Sequence, residues 1–359
     1  MNNHKILAHF REQAMFCAEY GSPFTAQLLE CMAADIEADG PVAALVRDWP
    51  SHPRVDALSL RIAGALHAAV LTGRDAKLRG VYPLLAAGPG ASGDARSGSE
   101  AWPAARDFLA RERDWAREFI KSAPQTNETR RSIALLAGFL AAANSWNGPI
   151  DMLEIGASAG LNLYWDRFFY RTSSWTWGEP SAVVIDTDWR GSSPPIAAHP
   201  NIRHRAACDL NPLDIRDSAA LLQLKSYVWP DQADRLARFD GAVALALKQG
   251  VQVERADAAE WLREKLAVRA DDAATIVYHS VFLQYPPREA REAIVAAMHD
   301  AGAHATAKAP LAWVRLEPEA LVDAAANSAR FVIDLITWPG GERRILGYTD
   351  GHVRAVRAL

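Results

Sequence analysis

Asp151-Met-Leu-Glu-Ile-Gly-Ala-Ser-Ala-Gly-Leu-Asn162 is the most informative run in the chain. Its first half is apolar and has strand character, and residues 156–160 hold nothing larger than serine. A turn of such small residues lets a ligand or another backbone come close, because a bulky side chain would stand in the way. By its pattern the turn leads into a helix. The first N–H groups of a helix have no partners within it and attract a carboxylate or phosphate. The glycine spacing is G-x-S-x-G rather than G-x-G-x-x-G.

On either side of this run the chain differs in character. Before it, residues 4–20, 24–38, 55–71, 102–121 and 128–143 place apolar residues at three- and four-residue spacings and predict helices. Ser22-Pro23 and Pro103 mark helix starts. The Gly/Ser tract over residues 86–99 is expected to be a flexible loop. After the run, predicted strands at 151–155, 251–255, 275–278 and 311–316 alternate with predicted helices at 214–227, 232–248, 258–266 and 287–300. The tail, 330–338 and 345–357 around Pro339-Gly340-Gly341, reads as a hairpin. Such alternation implies an α/β fold with a doubly wound parallel sheet. The expected organisation is therefore an all-helical N-terminal domain over 1–148 and an α/β domain over 149–359. A Trp-rich hairpin carrying Trp175, Trp177 and Trp189, with its turn at Gly178-Glu179-Pro180, is expected as an insertion near 167–200, after the first helix of the α/β domain.

Three readings of the glycine turn stand side by side. In the first, the strand-end acid Glu154 with the Gly156-Ala157-Ser158-Ala159-Gly160 turn and Asn162 resembles the first motif of class I S-adenosylmethionine-dependent methyltransferases. That ligand has no phosphate, so a full dinucleotide fingerprint is not required. In the second, G-x-S-x-G after a strand is a hydrolase nucleophile elbow with Ser158 as nucleophile. That fold places several strands before its elbow, whereas about 150 helical residues precede this one. The third is a tight turn packed for structure alone.

In a doubly wound sheet an acid ending the second strand accepts hydrogen bonds from ribose hydroxyls. Asp186 and Asp209 both qualify. Leu210-Asn211-Pro212-Leu213-Asp214 and a helical run follow Asp209, as a parallel crossover requires, whereas Trp189-Arg-Gly-Ser-Ser-Pro-Pro195 follows Asp186 and cannot form a helix. The expectation is Asp209, with Asn211 beside it. Asp257 opens the next helix and is either an adenine contact or an ordinary cap. His279, at the end of a central strand, is the candidate general base, and Tyr285 lies in the loop beyond. Gln125-Thr126-Asn127-Glu128 opens the helix before the glycine strand. Asn127 or Thr126 either caps that helix or, with Glu128 and Arg131, borders the substrate crevice. Val228-Trp229-Pro230-Asp231-Gln232 reads as a turn between helices.

Lys+Arg minus Asp+Glu is 39 − 43 = −4, which disfavours a sequence-independent grip on nucleic acid. The three cysteines, Cys17, Cys31 and Cys208, are widely spaced with no CxxC, so neither a disulfide framework nor a zinc site is expected. His199 and His204 have no companion at metal-ligand spacing. No apolar run approaches the ~20 residues of a membrane span. His, Arg and Glu interrupt the first sixteen residues before a signal-peptide core forms, so a cytoplasmic protein is expected.

Glu154-Ile-Gly-Ala-Ser-Ala-Gly-Leu-Asn-Leu163, Asp209-Leu-Asn-Pro-Leu-Asp214, Trp229-Pro-Asp-Gln232, Tyr278-His-Ser280 and Gln125-Thr-Asn-Glu128 together resemble an uncharacterised bacterial family of unknown function, across most of the chain. The resemblance implies a Rossmann-like, class I methyltransferase-like sheet. Carried onto this sequence, Glu154, Gly156, Ala157, Ser158, Gly160 and Asn162 would line the methionine part of S-adenosylmethionine, Asp209 its ribose and Asp257 its adenine. The expected activity is methyl transfer to a small molecule, with the helical part as a lid. The alternatives are a non-catalytic nucleoside-binding or interaction protein, and a serine hydrolase through Ser158.

Overall fold

The structure is a computed structural model and describes residues 2–83, 97–323, 325–326 and 328–359. Residues 86–96 of the Gly/Ser tract fall outside the described residues. In chain order the helices are α1 (Asn2–Glu19), α2 (Pro23–Glu37), α3 (Pro41–Val46), α4 (Leu58–Leu71), α5 (Ala76–Arg79), α6 (Gly98–Arg111), α7 (Arg113–Phe119), α8 (Ser132–Asn144), α9 (Ser218–Ser226), α10 (Ala233–Gln249), α11 (Ala258–Ala267), α12 (Arg288–Ala303) and α13 (Glu319–Val322). Among the described residues none is long and apolar enough to cross a membrane.

The chain forms two compact units, 1–126 with 216–237 and 127–215 with 238–359. The boundary expected at 148 thus falls at 126/127, because α8 is apolar on nearly every side and packs on the sheet. α9 belongs instead to the helical unit. Its Ser226 carbonyl is bonded by His67 Nδ1 of α4 at 3.1 Å, and the ring of Tyr227 lies against Gly64.

The helical unit is held by α1, α2, α4 and α6 around Ile6, Phe10, Leu29, Leu66 and Phe108. The single helix expected over 102–121 breaks at Glu112, whose carboxylate is gripped by Arg74 at 2.8 and 3.0 Å. α2 begins at Ser22, whose side chain makes no cap bond to its own helix. Asp231 does that work: its carboxylate accepts from the Phe24 N–H at 3.0 Å and from the Ser22 hydroxyl. Gln232 adds a bond from its amide to the Tyr20 carbonyl at 3.0 Å. The 229–232 turn is therefore a remote cap for α2, the role its sequence alone does not disclose. Asp231→Ala is expected to cost about 1–3 kcal/mol, because the half-buried Phe24 N–H loses its acceptor. Urea denaturation checks this.

In the second unit the strands are β1 (Pro149–Ile155), β2 (Phe169–Arg171), β3 (Thr176–Trp177), β4 (Val184–Asp186), β5 (Asp188–Arg190), β6 (Asn201–Asp209), β7 (Glu254–Arg255), β8 (Ala274–Ser280), β9 (Leu311–Pro318), β10 (Phe331–Trp338), β11 (Glu342–Thr349) and β12 (Ala355–Ala358). Among the described residues the main sheet has nine strands, in the order β5-β12-β11-β10-β9-β8-β1-β6-β7. β7, β6, β1, β8 and β9 run parallel, which is the 3-2-1-4-5 order of a doubly wound sheet. β10, β11 and β12 continue as an antiparallel meander, with the β10–β11 turn at the expected Pro339-Gly340-Gly341. The result is a mixed α/β molecule with a helical N-terminal region and a large, mostly parallel central sheet.

One face of the sheet takes α8, where Gly138 sits against Val314 and Phe139 meets Tyr278 edge-on. The other takes α11 and α12 over Leu153, Ile155, Val277 and Trp313.

The expected helix after the glycine turn does not form. Residues 161–164 make turns, and a single 3-10 turn, Trp165–Arg167, leads into β2. The aromatic residues of this segment explain the difference. Trp165 is fully buried and stacks on Phe139 at 4.4 Å and on Trp177 at 5.7 Å, a placement that draws the chain into the core rather than along a surface helix. The crossover from β1 to β6 is carried by a small sheet ordered β3-β2-β4. Its hairpin turns at 172–175, where the Thr172 hydroxyl accepts from the Trp175 N–H at 2.9 Å, and not at Gly178-Glu179-Pro180. Trp175 and Trp177 are both buried but pack separately, Trp175 on Trp189 and Trp177 on Trp165. The strand expected over 251–255 shortens to Glu254–Arg255.

Candidate functional site

β1 has β6 on one side and β8 on the other, so the strand order reverses there. Ligands of open α/β sheets bind outside the carboxyl ends of the strands at such a point. This edge carries the glycine loop after β1, Asp209 at the end of β6, Asp257 after β7 and the 281–287 loop after β8.

The glycine loop is shaped from within. Gly156 and Gly160 have φ of +67° and +70°, a region side chains rarely adopt. A Cβ on Gly156 would lie 2.2 Å from the Phe282 ring, and one on Gly160 2.7 Å from Val251. The close approach is thus to the protein's own side chains. Gly156→Ala is expected to cost roughly 2–5 kcal/mol from left-handed strain plus overpacking. A thermal unfolding scan against the parent checks this.

Asp209 holds the middle of the loop. One carboxylate oxygen accepts from the Ser158 N–H and the other from the Asn211 N–H, each at 2.8 Å. Asn211 in turn accepts from Arg255 at 3.0 Å. Ala157 is fully buried, and its N–H donates to the Cys208 carbonyl at 3.1 Å. Asp186 lies in β4 of the small sheet, paired at 2.6 and 3.0 Å with Arg171, so Asp209 is the acid that ends the strand beside β1. Asp257 caps α11, accepting from Ala259 and Glu260 N–H groups at 2.9 and 3.1 Å. These acids are neighbours. Burial chiefly raises the Cys208 thiol, and the charges of Asp209, Glu254 and Asp257 push it the same way.

Glu154 is buried on the α8 face, where Tyr278 donates to it at 3.1 Å. Desolvation pushes its carboxyl up to about 8, opposed by the Tyr278 bond and helped by the charge of Asp209.

Asn127 does not cap the following helix. Its carbonyl oxygen accepts from the Leu161 N–H at 2.7 Å and pins the far side of the glycine loop. The cap of the 3-10 turn before α8 is Glu128, whose carboxylate accepts from the Arg130 N–H at 3.1 Å and whose carbonyl accepts from Asn162 at 3.4 Å. The structure thus brings Asn127, Glu128, Gly156–Asn162 and Asp209 together. Arg131 donates from Nε to the Gly351 carbonyl at 3.1 Å, and Tyr285 is exposed.

His279 is fully buried, between Phe282 and Trp313, with ring centroids 5.6 and 5.8 Å away. Its Nδ1 lies 2.6 Å from Glu317, itself fully buried. Glu317 also accepts from the Phe282 and Leu283 N–H groups at 2.8 and 3.1 Å. Between them Val281 has a φ of +55°, an outlier for a β-branched residue. Sequence reasoning missed Glu317, Tyr278 and Phe282. The available signal was a pair of charged residues, Arg315 and Glu317, two apart in the mostly apolar run Leu311-Ala-Trp-Val-Arg-Leu-Glu317.

Ser158 has a φ of +55°, and its buried hydroxyl has no hydrogen-bond partner among the described residues. No helix follows it, so the strand–turn–helix context of a nucleophile elbow is not met. The Asn162 side-chain oxygen and His279 Nε2 are likewise buried without a partner among the described residues. Among those residues no group of three or more His, Cys, Asp or Glu is arranged to hold a metal ion.

A family model described as "Uncharacterized protein conserved in bacteria (DUF2332)" matches residues 8–357. No curated protein and no solved structure matches the chain.

Proposed function

The chain belongs to this family, whose description assigns no reaction, and we infer from the site that it binds S-adenosylmethionine and transfers the methyl group to a small acceptor. The observation that carries this reading is the meeting of three elements at one edge of a 3-2-1-4-5 sheet: the glycine loop after β1, Asp209 after β6 and Asp257 after β7. A class I methyltransferase-like fold would present its cofactor to these elements.

The residues present suit that group. Two buried polar atoms on the loop, the Ser158 hydroxyl and the Asn162 side-chain oxygen, have hydrogen-bonding capacity left over among the described residues. The carboxylates of Asp209 and Asp257 match the chemistry of a cationic, hydroxyl-bearing ligand. Asp209 and Asp257 each retain carboxylate lone pairs beyond the backbone bonds they accept.

When bound, the cofactor supplies an electrophilic methyl carbon. The chain's own part is chiefly positioning and exclusion of water, which suffices for transfer to a good nucleophile. Asn127 and Asp209 fix the loop from its two sides. His279 is the group to hold a proton if the acceptor must lose one.

Calorimetric titration with S-adenosylmethionine and S-adenosylhomocysteine tests the reading. Micromolar binding is expected, weakened tenfold or more by Asp209→Asn, which is about 1.4 kcal/mol or more. Absence of binding at millimolar ligand by a folded protein overturns it and leaves the glycine turn a structural one. Binding without transfer to any acceptor favours the nucleoside-binding alternative.

A further inference from the structure

We propose that Glu317 is a positioning residue that fixes His279 as the neutral tautomer with its proton on Nδ1, leaving Nε2 as a buried proton acceptor, and that the molecule it serves carries a removable O–H or N–H proton. The proposal rests on the methyl-transfer reading only for the identity of the other reactant.

Three nitrogens converge on the Glu317 carboxylate: Nδ1 of His279 at 2.6 Å and the amides of Phe282 and Leu283 at 2.8 and 3.1 Å. The two backbone groups are obligatory donors, one to each carboxylate oxygen. A carboxylate only accepts, so the third partner must donate as well, and the imidazole proton sits on Nδ1. In the neutral ring Nε2 then carries the lone pair. That nitrogen is buried and has no hydrogen-bond partner among the described residues.

The nearby cations are engaged elsewhere. Across the sheet His279 is registered with Arg315, whose guanidinium grips Asp334 at 2.6 and 2.8 Å, and Asp334 also takes Arg343 at 2.6 Å. Both guanidinium groups are thus taken up by Asp334, and the groups that meet Glu317 are His279 and two backbone amides. Trp313, which lies beside His279, also takes the Arg315 guanidinium over its ring at 4.3 Å.

The same carboxylate shapes what covers the imidazole. By holding two successive amides it keeps Val281 at positive φ and sets the Phe282 ring beside both His279 and Gly156. Strain of this kind persists where surrounding bonds over-determine it. The imidazole is therefore flanked by aromatic rings and offers one proton-accepting nitrogen. A weakly acidic hydroxyl or N–H compound suits it, such as a phenol or an azole. In the step assigned to this pair the proton leaves the acceptor oxygen or nitrogen for Nε2. The resulting imidazolium would keep its Nδ1–H on Glu317, and the electron pair left on the acceptor would form the new bond to the methyl carbon of a sulfonium donor as the carbon–sulfur bond breaks and its electron pair stays on sulfur, which leaves as a neutral thioether.

The test is 15N NMR of the full chain labelled at histidine, without cofactor. The expected His279 spectrum near neutral pH shows a protonated Nδ1 and an unprotonated Nε2. In Glu317→Gln, which keeps one acceptor oxygen, the other tautomer is expected to appear. His279 is assigned by loss of its signals in His279→Asn, or by proton contacts with the Trp313 ring if that variant does not fold. An Nε2–H tautomer or an imidazolium in the parent protein overturns the proposal, as does an unchanged tautomer in folded Glu317→Gln. If Glu317→Gln does not fold, the parent spectrum alone decides. None of these outcomes depends on cofactor binding, so failure here and failure of the methyl-transfer reading are separable.

Discussion

Glu317→Ala is expected to lower the unfolding free energy by roughly 3–6 kcal/mol. The substitution strands three donors at once, Nδ1 of His279 and the Leu283 amide, both buried, and the half-buried Phe282 amide. Each buried donor left without an acceptor costs about 1–3 kcal/mol. A second effect adds to this. Val281 adopts its positive φ between residues tied to Glu317, and without those ties the 281–283 turn has reason to relax. Phe282 would then leave its place against Gly156. Urea denaturation monitored by tryptophan fluorescence reads the loss. A change below about 1 kcal/mol would show that water or another group replaces the carboxylate without cost.

Glu154→Gln is expected to stabilise the protein at alkaline pH and to leave it nearly unchanged at acid pH. Burial raises the folded-state carboxyl from an ordinary 4.5 to about 8. A group whose folded pKa lies above its unfolded value favours the fold fully below the unfolded value. That advantage is lost as pH rises towards the folded one, because the unfolded chain releases the proton first. Across that interval the wild-type protein gives up on the order of 4 kcal/mol at this one site. Glutamine retains an acceptor for the Tyr278 hydroxyl and has no proton to lose. The stability difference between variant and parent should therefore be close to zero near pH 5 and reach several kcal/mol, on the order of 4, near pH 9. A difference that does not vary with pH would mean that Glu154 is charged in the fold and solvated.

Much of the parallel sheet was legible because strand and helix patterns alternate in the chain and the topological rules for such alternation are strict. The choice of Asp209 over Asp186 came from asking which acid leads into a crossover helix, and β6 does lie beside β1. The helix expected after the glycine loop is absent. Leu161–Phe168 has helical spacing, but its aromatic residues stack with Phe139 and Trp177, and that tertiary packing overrides local pattern. Neither the domain boundary nor the role of Asp231 was readable. Both rest on contacts between residues far apart in sequence, α8 with the sheet and Asp231 with the start of α2.

In the candidate site, composition marked Gly156, Gly160 and the strand-end acids, because small residues and acids at strand ends are few. It did not show what the glycines face. Phe282, Val251 and Val253 fill the space beside them, and no local pattern specifies that. Glu317 was invisible for a related reason. A single acid beside Arg315 in a mostly apolar strand acquires meaning only when β8 and β9 are paired and His279 comes within reach of it.

The central claim is that the edge formed by the 156–162 loop, Asp209 and Asp257 receives a nucleoside cofactor. The measurement that tests it most directly is a crystal structure of the protein grown with S-adenosylhomocysteine. The account predicts the ligand against the 156–162 loop, with the Ser158 hydroxyl or the Asn162 oxygen bonded to it and the ribose at Asp209. A ligand bound elsewhere, or none at saturating concentration, would contradict it.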